Sequence, residues 1–248
     1  EQKKKILGLD PLYSYDGIHF KEGNPRPKGT PEEMVAASQE MYREMSPESG
    51  EFFDLMMDEE LLDLVNREGK MPGGFCTGFP SYKRPYIFSN FNGTDMDVRV
   101  LIHEAGHAFH SHVIRNLRPW AQDYPMTLAE SASTFAEMIL TDGLLADPSM
   151  SVADKLRVLD METGHAAVYL LDIPIRYEFE SAFHEEREAG EVGARRLKEL
   201  MAQTQRRVFG PLLADGGEDP LFWASKMHFY FTGISFYNFP YTFGYLFS

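Results

Sequence analysis

The chain has 248 residues, of which 43% are hydrophobic and 25% are charged, a balance typical of a soluble globular protein. Its formal net charge of −14 argues against binding to nucleic acid or to an anionic membrane through bulk electrostatics. The single cysteine, Cys76, excludes an intramolecular disulfide and favours a reducing, cytoplasmic location. No apolar run approaches the roughly 18 residues that a membrane span needs.

The first part of the chain predicts a lead-in followed by helices. The first thirty residues are rich in proline and turn formers, which predicts an extended or looping segment. Thr30 and Glu33 form a capping-box pattern that opens the helical stretch "EEMVAASQEMYREM". The next stretch, "EFFDLMMDEELLDLV" (51–65), keeps helical spacing and predicts one or two further short helices.

A short β-rich region precedes a long helix. The runs "GGFCTGF" (73–79) and "PYIFSNF" (85–91) are aromatic and β-prone, so we predict a small hairpin or meander there. Thr94 and Asp97 form a second capping box, which opens a helix predicted from Asp95 to about Leu117.

Helical periodicity continues to the end of the chain. It predicts helices at about 127–145, at 151–188 with an interruption at Pro174, and at 190–209. A final aromatic-rich segment follows the turn-forming "LADGGEDP" and also reads as helical. The predicted fold class is therefore mainly α with one small β-sheet.

The stretch "VLIHEAGHAFHSHV" (100–113) carries the densest group of candidate metal ligands. His103 and His107 are four residues apart, so a helix places them on one face, where both imidazoles can reach one Zn²⁺ at about 2.0–2.1 Å. Glu104 is rotated about 100° from His103 and can act as a general base for an activated water without ligating the metal. The alternative is an ordinary polar helix face. The pattern H-E-x-x-H arises by chance in about one per cent of chains of this size.

A catalytic zinc needs a third protein ligand, and the next predicted helix offers one. In "TLAESASTFAE", Glu130 follows His107 after 22 intervening residues, which is enough chain to turn and return antiparallel. Small residues around Glu130 allow the two helices to approach closely. Glu137 lies seven residues further on the same face and can orient a ligand imidazole by accepting its N–H.

Three blocks of the sequence carry a family resemblance. "YIFSNFNGTDMDVRVLIHEAGHAFHSH", "TLAESASTFAE" and "HFYFTGISFYNFPYTFGYLFS" together resemble the oligoendopeptidase F branch of the thimet oligopeptidase family of zinc metallopeptidases. The similarity runs from about Leu9 to the chain end. It implies a zincin-type catalytic domain over residues 1–248, the C-terminal catalytic half of a longer protein. The first residue, Glu1, and the apolar end "YTFGYLFS" also lead us to expect a fragment that lacks an N-terminal helical half and a short C-terminal portion.

The resemblance also implies roles for residues around the metal. The zinc ligands of the family match three residues, His103, His107 and Glu130, and its catalytic glutamate matches Glu104. Its substrate-aligning strand is similar to "GGFCTGF". The residues implied to meet the peptide there are Gly73, Gly74 and Phe75. An ordinary strand edge is the alternative interpretation of this run.

The aromatic C-terminal segment is implied to bind substrate and the oxyanion. His228 matches the family's histidine, and the oxyanion donor is expected to be Tyr241 or, failing that, Tyr237. Together with Tyr245, expected to bind substrate, these tyrosines recur every four residues and would share one helix face. Core packing is the alternative explanation of such a stripe. Three other histidines match no site pattern: His19, His165 and His184.

These inferences converge on zinc-dependent peptide hydrolysis with one Zn²⁺ per chain, and the resemblance implies short to medium oligopeptides as substrates. The expected partners are an oligopeptide substrate and the missing N-terminal half, which would close the channel, and neither nucleic acid nor a membrane is expected. The main alternative is a zinc-stapled, peptide-binding fragment that is inactive without that half, because a missing half removes substrate positioning. A secreted thermolysin-like endopeptidase is disfavoured by the lack of a secretion signal.

Overall fold

The computed structural model describes residues 30–79 and 81–248, together with Gly8 and Tyr13. Most of the predicted lead-in, including His19, lies outside the described residues. The described chain forms two compact units. Among the described residues, the larger unit comprises 30–162 and Phe243–Ser248. The main part of the smaller unit is Thr163–Thr242.

The helices and strands are, in chain order, α1 (Pro31–Met45), α2 (Pro47–Asp58), β1 (Leu62–Asp63), β2 (Gly74–Phe79), β3 (Arg84–Ser89), α3 (Asp95–Ile114), α4 (Pro119–Gln122), α5 (Ser131–Ala146), α6 (Val152–Ala167), α7 (Ile173–Arg187), α8 (Ala194–Phe209) and α9 (Phe239–Phe247). Short 3-10 and π turns join several of them. The predicted class, mainly α with one small sheet, is confirmed.

Both predicted capping boxes are present. The Glu33 N–H donates to Thr30 Oγ1 at 3.2 Å, and Glu33 Oε2 accepts from the Thr30 N–H at 2.8 Å. Thr94 and Asp97 make the same reciprocal pair at the start of α3. These caps satisfy N–H groups that the first turn of a helix leaves without partners, so they fix where each helix begins. Helix α3 ends at Ile114, three residues before the predicted end.

The prediction of helix throughout 51–65 is wrong beyond Asp58. The chain leaves the helix at Glu60, which has a left-handed φ of 54°. Leu61 is buried, and its carbonyl accepts a hydrogen bond from the Ile87 N–H at 3.0 Å. The following residues, Leu62–Asp63, pair in parallel with β3 as strand β1. Pairing with a sheet distant in sequence therefore outweighs local helical periodicity here.

The predicted hairpin is confirmed by the antiparallel pairing of β2 with β3, with Phe75 opposite Phe88 and Cys76 opposite Ile87. The strand order is β1-β3-β2, so β2 lies at an edge of the three-stranded sheet. Strand β3 occupies the centre and contributes the buried Ile87 to the core.

The core of the larger unit forms where α3 packs on the sheet and on α1 and α2. Helix α3 buries a run of small and aliphatic side chains, Leu101, Ile102, Ala105 and Ala108. These residues pack with Tyr42, Phe52 and Phe53 from the first two helices. Because α3 is covered on this face, its remaining polar face is held in a fixed orientation.

The smaller unit has its own core between α7 and α8, formed by Ile175, Phe179, Leu200 and Met201. Pro174 lies in the first turn of α7, where the missing N–H of proline costs nothing. A π turn over Val168–Asp172 leads into it. The final segment is helical only in part: two 3-10 turns, Phe222–Ser225 and Met227–Tyr230, precede α9.

Across the part of the chain that the structure describes, every helix is too short or too polar to span a bilayer.

Candidate metal centre

Three side chains converge in the larger unit. On α3, the imidazole rings of His103 and His107 lie 4.9 Å apart between centroids. Glu130 Oε2 lies 3.1 Å from His103 Nε2 and 3.2 Å from His107 Nε2. One ligand atom from each residue lies within 4.8 Å of the others, a geometry that can hold a metal ion.

Glu130 reaches this position through an irregular entry into α5. The predicted continuous helix at 127–145 is wrong at its start, because a 3-10 turn over Met126–Leu128 precedes Glu130, which occupies the cap position of α5. The Glu130 carbonyl accepts hydrogen bonds from the Thr134 N–H at 3.0 Å and from Ser133 Oγ at 2.9 Å. Ser133 Oγ also donates to Glu130 Oε2 at 3.0 Å, which fixes the carboxylate as well as the backbone.

Two glycines allow close approach to the chain around Glu130. A Cβ on Gly106 of α3 would lie 2.7 Å from the carbonyl oxygen of Ala132. A Cβ on Gly244 would lie 2.7 Å from the carbonyl oxygen of Glu130 itself. Both neighbours are backbone atoms, which cannot turn aside as a flexible side chain can. Glycine at these positions therefore lets α3 and the C-terminal segment pack directly on the backbone that carries Glu130.

The charges of the site favour a cation. Burial by itself lowers the pKa of His103, but hydrogen bonds to the carboxylates of Glu130 and Glu137 raise that pKa well above its usual range. Burial raises the pKa of Glu130, yet its contacts with both histidines hold it well below the ordinary value. Two buried carboxylates around two imidazoles thus stabilise positive charge at this point.

The donor set and its outer contact fit zinc. Two imidazole nitrogens and one carboxylate are a ligand combination that catalytic zinc uses. The predicted contact of Glu137 is confirmed, because Glu137 Oε1 lies 2.6 Å from His103 Nδ1. With Nδ1 engaged there, His103 directs Nε2 towards Glu130 and His107. An imidazole held in this way is oriented before any metal arrives.

Glu104 follows His103 in α3 and is itself buried. Burial raises the pKa of Glu104, and the neighbouring imidazoles partly oppose that rise. The backbone of Cys76 in the edge strand β2 also opposes the rise of this pKa. A buried carboxylate with a raised pKa beside a metal site is suited to accept and release a proton.

Comparison with known proteins shows the family of this chain. The model of peptidase family M3 matches residues 29–248. The chain belongs to this family. It is 31% identical over 250 residues to the chromosomal oligoendopeptidase F of Lactococcus lactis subsp. cremoris, covering 99% of this chain and 40% of the relative. It is 28% identical to the group B oligopeptidase PepB of Streptococcus agalactiae, and this match covers 98% of this chain and 40% of the relative.

The M3 fold is shared with solved structures. PZ peptidase A with inhibitor 2 superposes with a TM-score of 0.84 at 32% identity, covering 99% of this chain and 43% of that one. The M3 chain described here therefore spans about two-fifths of the length of the curated relatives that it matches.

The predicted substrate strand of this M3 chain lies at the edge of the sheet. Gly73 has a left-handed φ of 98° and is exposed. Gly74 begins β2, and a Cβ there would lie 3.0 Å from the Val100 side chain of α3, so the strand packs closely on this helix. The Phe75 ring is 40% exposed and stacks on Phe88 with centroids 4.8 Å apart.

In the smaller unit, His228 and Tyr241 form a pair. His228 Nε2 lies 3.3 Å from the Tyr241 hydroxyl oxygen, and the Tyr237 ring lies 5.8 Å from that of Tyr241. The predicted single helical stripe is wrong at Tyr237, which precedes the start of α9 at Phe239. Only Tyr241 and Tyr245 lie within the helix.

Tyr245 belongs to the larger unit together with the metal site. Burial raises the pKa of its phenol, and the nearby Glu162 carboxylate raises it further. Sequence patterns did not reveal that Glu162 and Arg99 lie near this tyrosine. The one available signal was Arg99, a charged residue one turn before His103 on the helix face that carries the histidines.

Proposed function

We propose that this chain carries the catalytic centre of a zinc-dependent metalloendopeptidase that hydrolyses short to medium oligopeptides. The observation that carries the proposal is the convergence of His103, His107 and Glu130 next to the buried Glu104. Membership of peptidase family M3 supports the reaction class, and the names of its oligopeptidase relatives support the substrate class. On this proposal, residues 1–248 form one catalytic region, and the expected cytoplasmic location stays a prediction.

His103, His107 and Glu130 would hold one Zn²⁺. When bound, zinc polarises the scissile carbonyl and lowers the pKa of water, which supplies a nucleophile near neutral pH. The chain prepares the site before binding, because Glu137 orients His103 and Ser133 orients Glu130. Such preorganisation reduces the freedom that must be lost when the ligands close on a metal.

Glu104 would act as the general base and acid. It takes a proton from the attacking water and delivers it to the leaving amine, which requires a carboxyl group that can hold a proton between the two steps. The raised pKa of Glu104 suits this role, since burial makes its neutral form more accessible. The adjacent strand β2 supplies an edge on which a peptide can pair, near Gly73, Gly74 and Phe75.

His228, Tyr241 and Tyr237 would serve the oxyanion and the substrate backbone. The hydrogen-bond distance between His228 and Tyr241 supports the idea that they work as a pair and favours Tyr241 as the hydroxyl donor. One donor to an oxyanion is worth about 2.7–4 kcal/mol of transition-state stabilisation. Tyr245 would contact substrate from its position in the C-terminal segment.

The second candidate function is a zinc-stapled, peptide-binding portion that becomes active only with the rest of its protein. The observation that favours it is coverage, because the chain matches only 40% of its curated relatives. A catalytic centre without the elements that close the substrate channel loses positioning, which accounts for a large share of enzymatic rates. On either candidate, the zinc ligands are the same.

The test measures zinc content and cleavage of a quenched fluorescent peptide library on the same preparation. We expect about one zinc per chain and cleavage that a chelator abolishes. Glu104→Gln should retain zinc and lose turnover by about 10²–10⁴-fold. Glu178→Gln, on the surface of the smaller unit, is the matched control and should retain both properties. Zinc without cleavage would favour the second candidate, and failure to bind supplied zinc would overturn both.

A further inference from the structure

A buried polar network lies directly behind His103. It contains one guanidinium, two carboxylates and one hydroxyl, contributed by Arg99, Glu137, Glu162 and Thr141. Arg99 is 4% exposed, and its Nη1 lies 3.4 Å from Glu137 Oε2 and 3.2 Å from Glu162 Oε2. Arg99 Nη2 donates to Thr141 Oγ1 at 3.2 Å and also to Glu162 Oε2.

The network joins three helices around the metal site. Arg99 lies on α3 four residues before His103, so the two side chains share one face of that helix. Glu137 and Thr141 lie on α5, which Glu130 caps, and Glu162 lies on α6. One buried cation on α3, the helix of His103 and His107, therefore contacts both α5, which Glu130 caps, and α6.

Glu137 has its two oxygens divided between two partners. Oε1 lies 2.6 Å from His103 Nδ1, while Oε2 faces Arg99 Nη1. A buried carboxylate is stable in its charged form only when it is paired and hydrogen bonded. Arginine keeps its charge at any ordinary pH and offers a planar set of donors, so it supplies a permanent counter-charge with a defined direction. That direction sets the rotation of the carboxylate that holds His103.

We propose that Arg99 is a positioning residue for the metal. It holds Glu137 in the orientation that turns His103 Nε2 towards Glu130 and His107, and it thereby raises the affinity of the site for zinc. The inference rests on the proposed zinc site. It adds Arg99 to the residues on which the affinity depends, with Arg99 acting through Glu137 and His103 and without contact with the ion.

A purely structural role is the competing explanation, because the same contacts also link α3, α5 and α6. The two roles separate in their consequences. A structural link contributes to the free energy of unfolding, whereas a positioning residue changes the zinc dissociation constant of molecules that are already folded. Thr141→Val provides the matched control, since it removes hydrogen bonds to Arg99 and Glu162 but none to Glu137.

The experiment measures the zinc dissociation constant of the chelator-stripped chain by competition with a chromophoric chelator. Far-UV circular dichroism and urea unfolding on the same samples establish the folded fraction. We expect Arg99→Met to weaken zinc binding about 10–100-fold, in line with the loss of an outer-shell partner of a ligand. Arg99→Lys keeps the charge and should recover part of the affinity, and Thr141→Val should stay within about threefold of the parent.

Arg99→Met leaves the buried Glu137 and the partly buried Glu162 without their cation, so the double variant Arg99→Met/Glu162→Gln is measured as well. Glu137→Gln closes a double-mutant cycle. If Arg99 acts through Glu137, then Arg99→Met adds little further loss of affinity in the Glu137→Gln background. The inference would be overturned if Arg99→Met reduced zinc affinity equally in the parent and in the Glu137→Gln background. It would also be overturned if Arg99→Met/Glu162→Gln and Arg99→Lys were folded and both kept the parental zinc affinity. A parent chain that binds no zinc would instead overturn the proposed function.

Discussion

The residues proposed for function lie in two regions that are built in different ways. In the larger unit, His103 and His107 lie on a regular helix. A neighbour within hydrogen-bond distance orients His103 and another orients Glu130. In the smaller unit, His228 lies on a 3-10 turn, and Tyr237 lies in the irregular chain before α9. Helical periodicity orients the first region, whereas individual tertiary contacts orient the second.

The turn that carries Tyr237 depends on one buried carboxylate. Glu180 is 5% exposed and accepts hydrogen bonds from the Phe236 N–H at 2.7 Å and from Asn238 Nδ2 at 2.9 Å. Phe236 has a left-handed φ of 62°, and its ring stacks on His184 with centroids 5.0 Å apart. A bulky residue in this conformation persists only where its surroundings hold it there. The position of Tyr237 therefore depends on tertiary contacts of its neighbours, whereas the positions of His103 and His107 follow from helical periodicity.

The largest effect is expected from breaking the helix contact at the metal site. Gly106→Ala places a Cβ 2.7 Å from a backbone oxygen, so α3 and α5 must separate. We expect a loss of about 1–3 kcal/mol in the free energy of unfolding, together with weaker zinc binding. Urea denaturation and zinc competition measure the two quantities. Gly143→Ala in α5 is the control, because a Cβ there meets no atom within 4 Å, and we expect it to stabilise by about 0.5–1 kcal/mol. Parental zinc affinity in Gly106→Ala would contradict the close-approach argument.

A similar loss of stability, but no change in zinc affinity, is expected from breaking the turn of the smaller unit. Glu180→Ala leaves the Phe236 N–H and the Asn238 amide without their acceptor, which costs about 1–3 kcal/mol of stability. Urea denaturation measures the loss, and zinc competition should give the parental affinity, because Glu180 holds a turn outside the metal cluster. Glu178→Ala on the same helix loses only a partly exposed pair with Arg207 and should stay within about 0.5 kcal/mol. Equal effects of the two variants would show that the turn does not depend on Glu180.

The smallest effect is expected at a partly exposed ion pair, Arg67 with Asp63. Its loss of stability gives a reference against which the two larger losses can be compared. Arg67 donates two hydrogen bonds to Asp63 and holds the pKa of this carboxyl well below its ordinary value. A lowered pKa in the folded state stabilises the protein above the unfolded pKa of about 3.9, and this contribution is lost as the pH falls through the folded value. Asp63→Asn should cost about 1 kcal/mol at pH 7, because Asp63 and Arg67 are both partly exposed. Lys70, the buried second partner of Asp63, keeps its hydrogen bonds to the backbone carbonyls of Asp63 and Ser89. The difference from the parent should narrow below about pH 4 in urea unfolding curves. A difference that grows in acid would contradict this sign.

Much of the fold followed from local patterns. The two capping boxes at Thr30 and Thr94, the hairpin of β2 with β3, and the helical face shared by His103 and His107 all rest on contacts between residues near each other in sequence. Predictions failed where a distant partner competes with local preference. Strand β1 leaves the helical pattern to pair with β3, and the entry to α5 bends at Glu130.

The sequence by itself therefore determined which residues are candidate metal ligands, since a spacing of four on a helix and one acid after a return turn bring the ligand types together. Only the tertiary structure decided which groups support that chemistry. The contact of Arg99 with Glu162 spans 63 residues, and that of Glu180 with Asn238 spans 58. No local periodicity encodes such separations, because these pairs form only after the helices have packed and have excluded water from the charges between them.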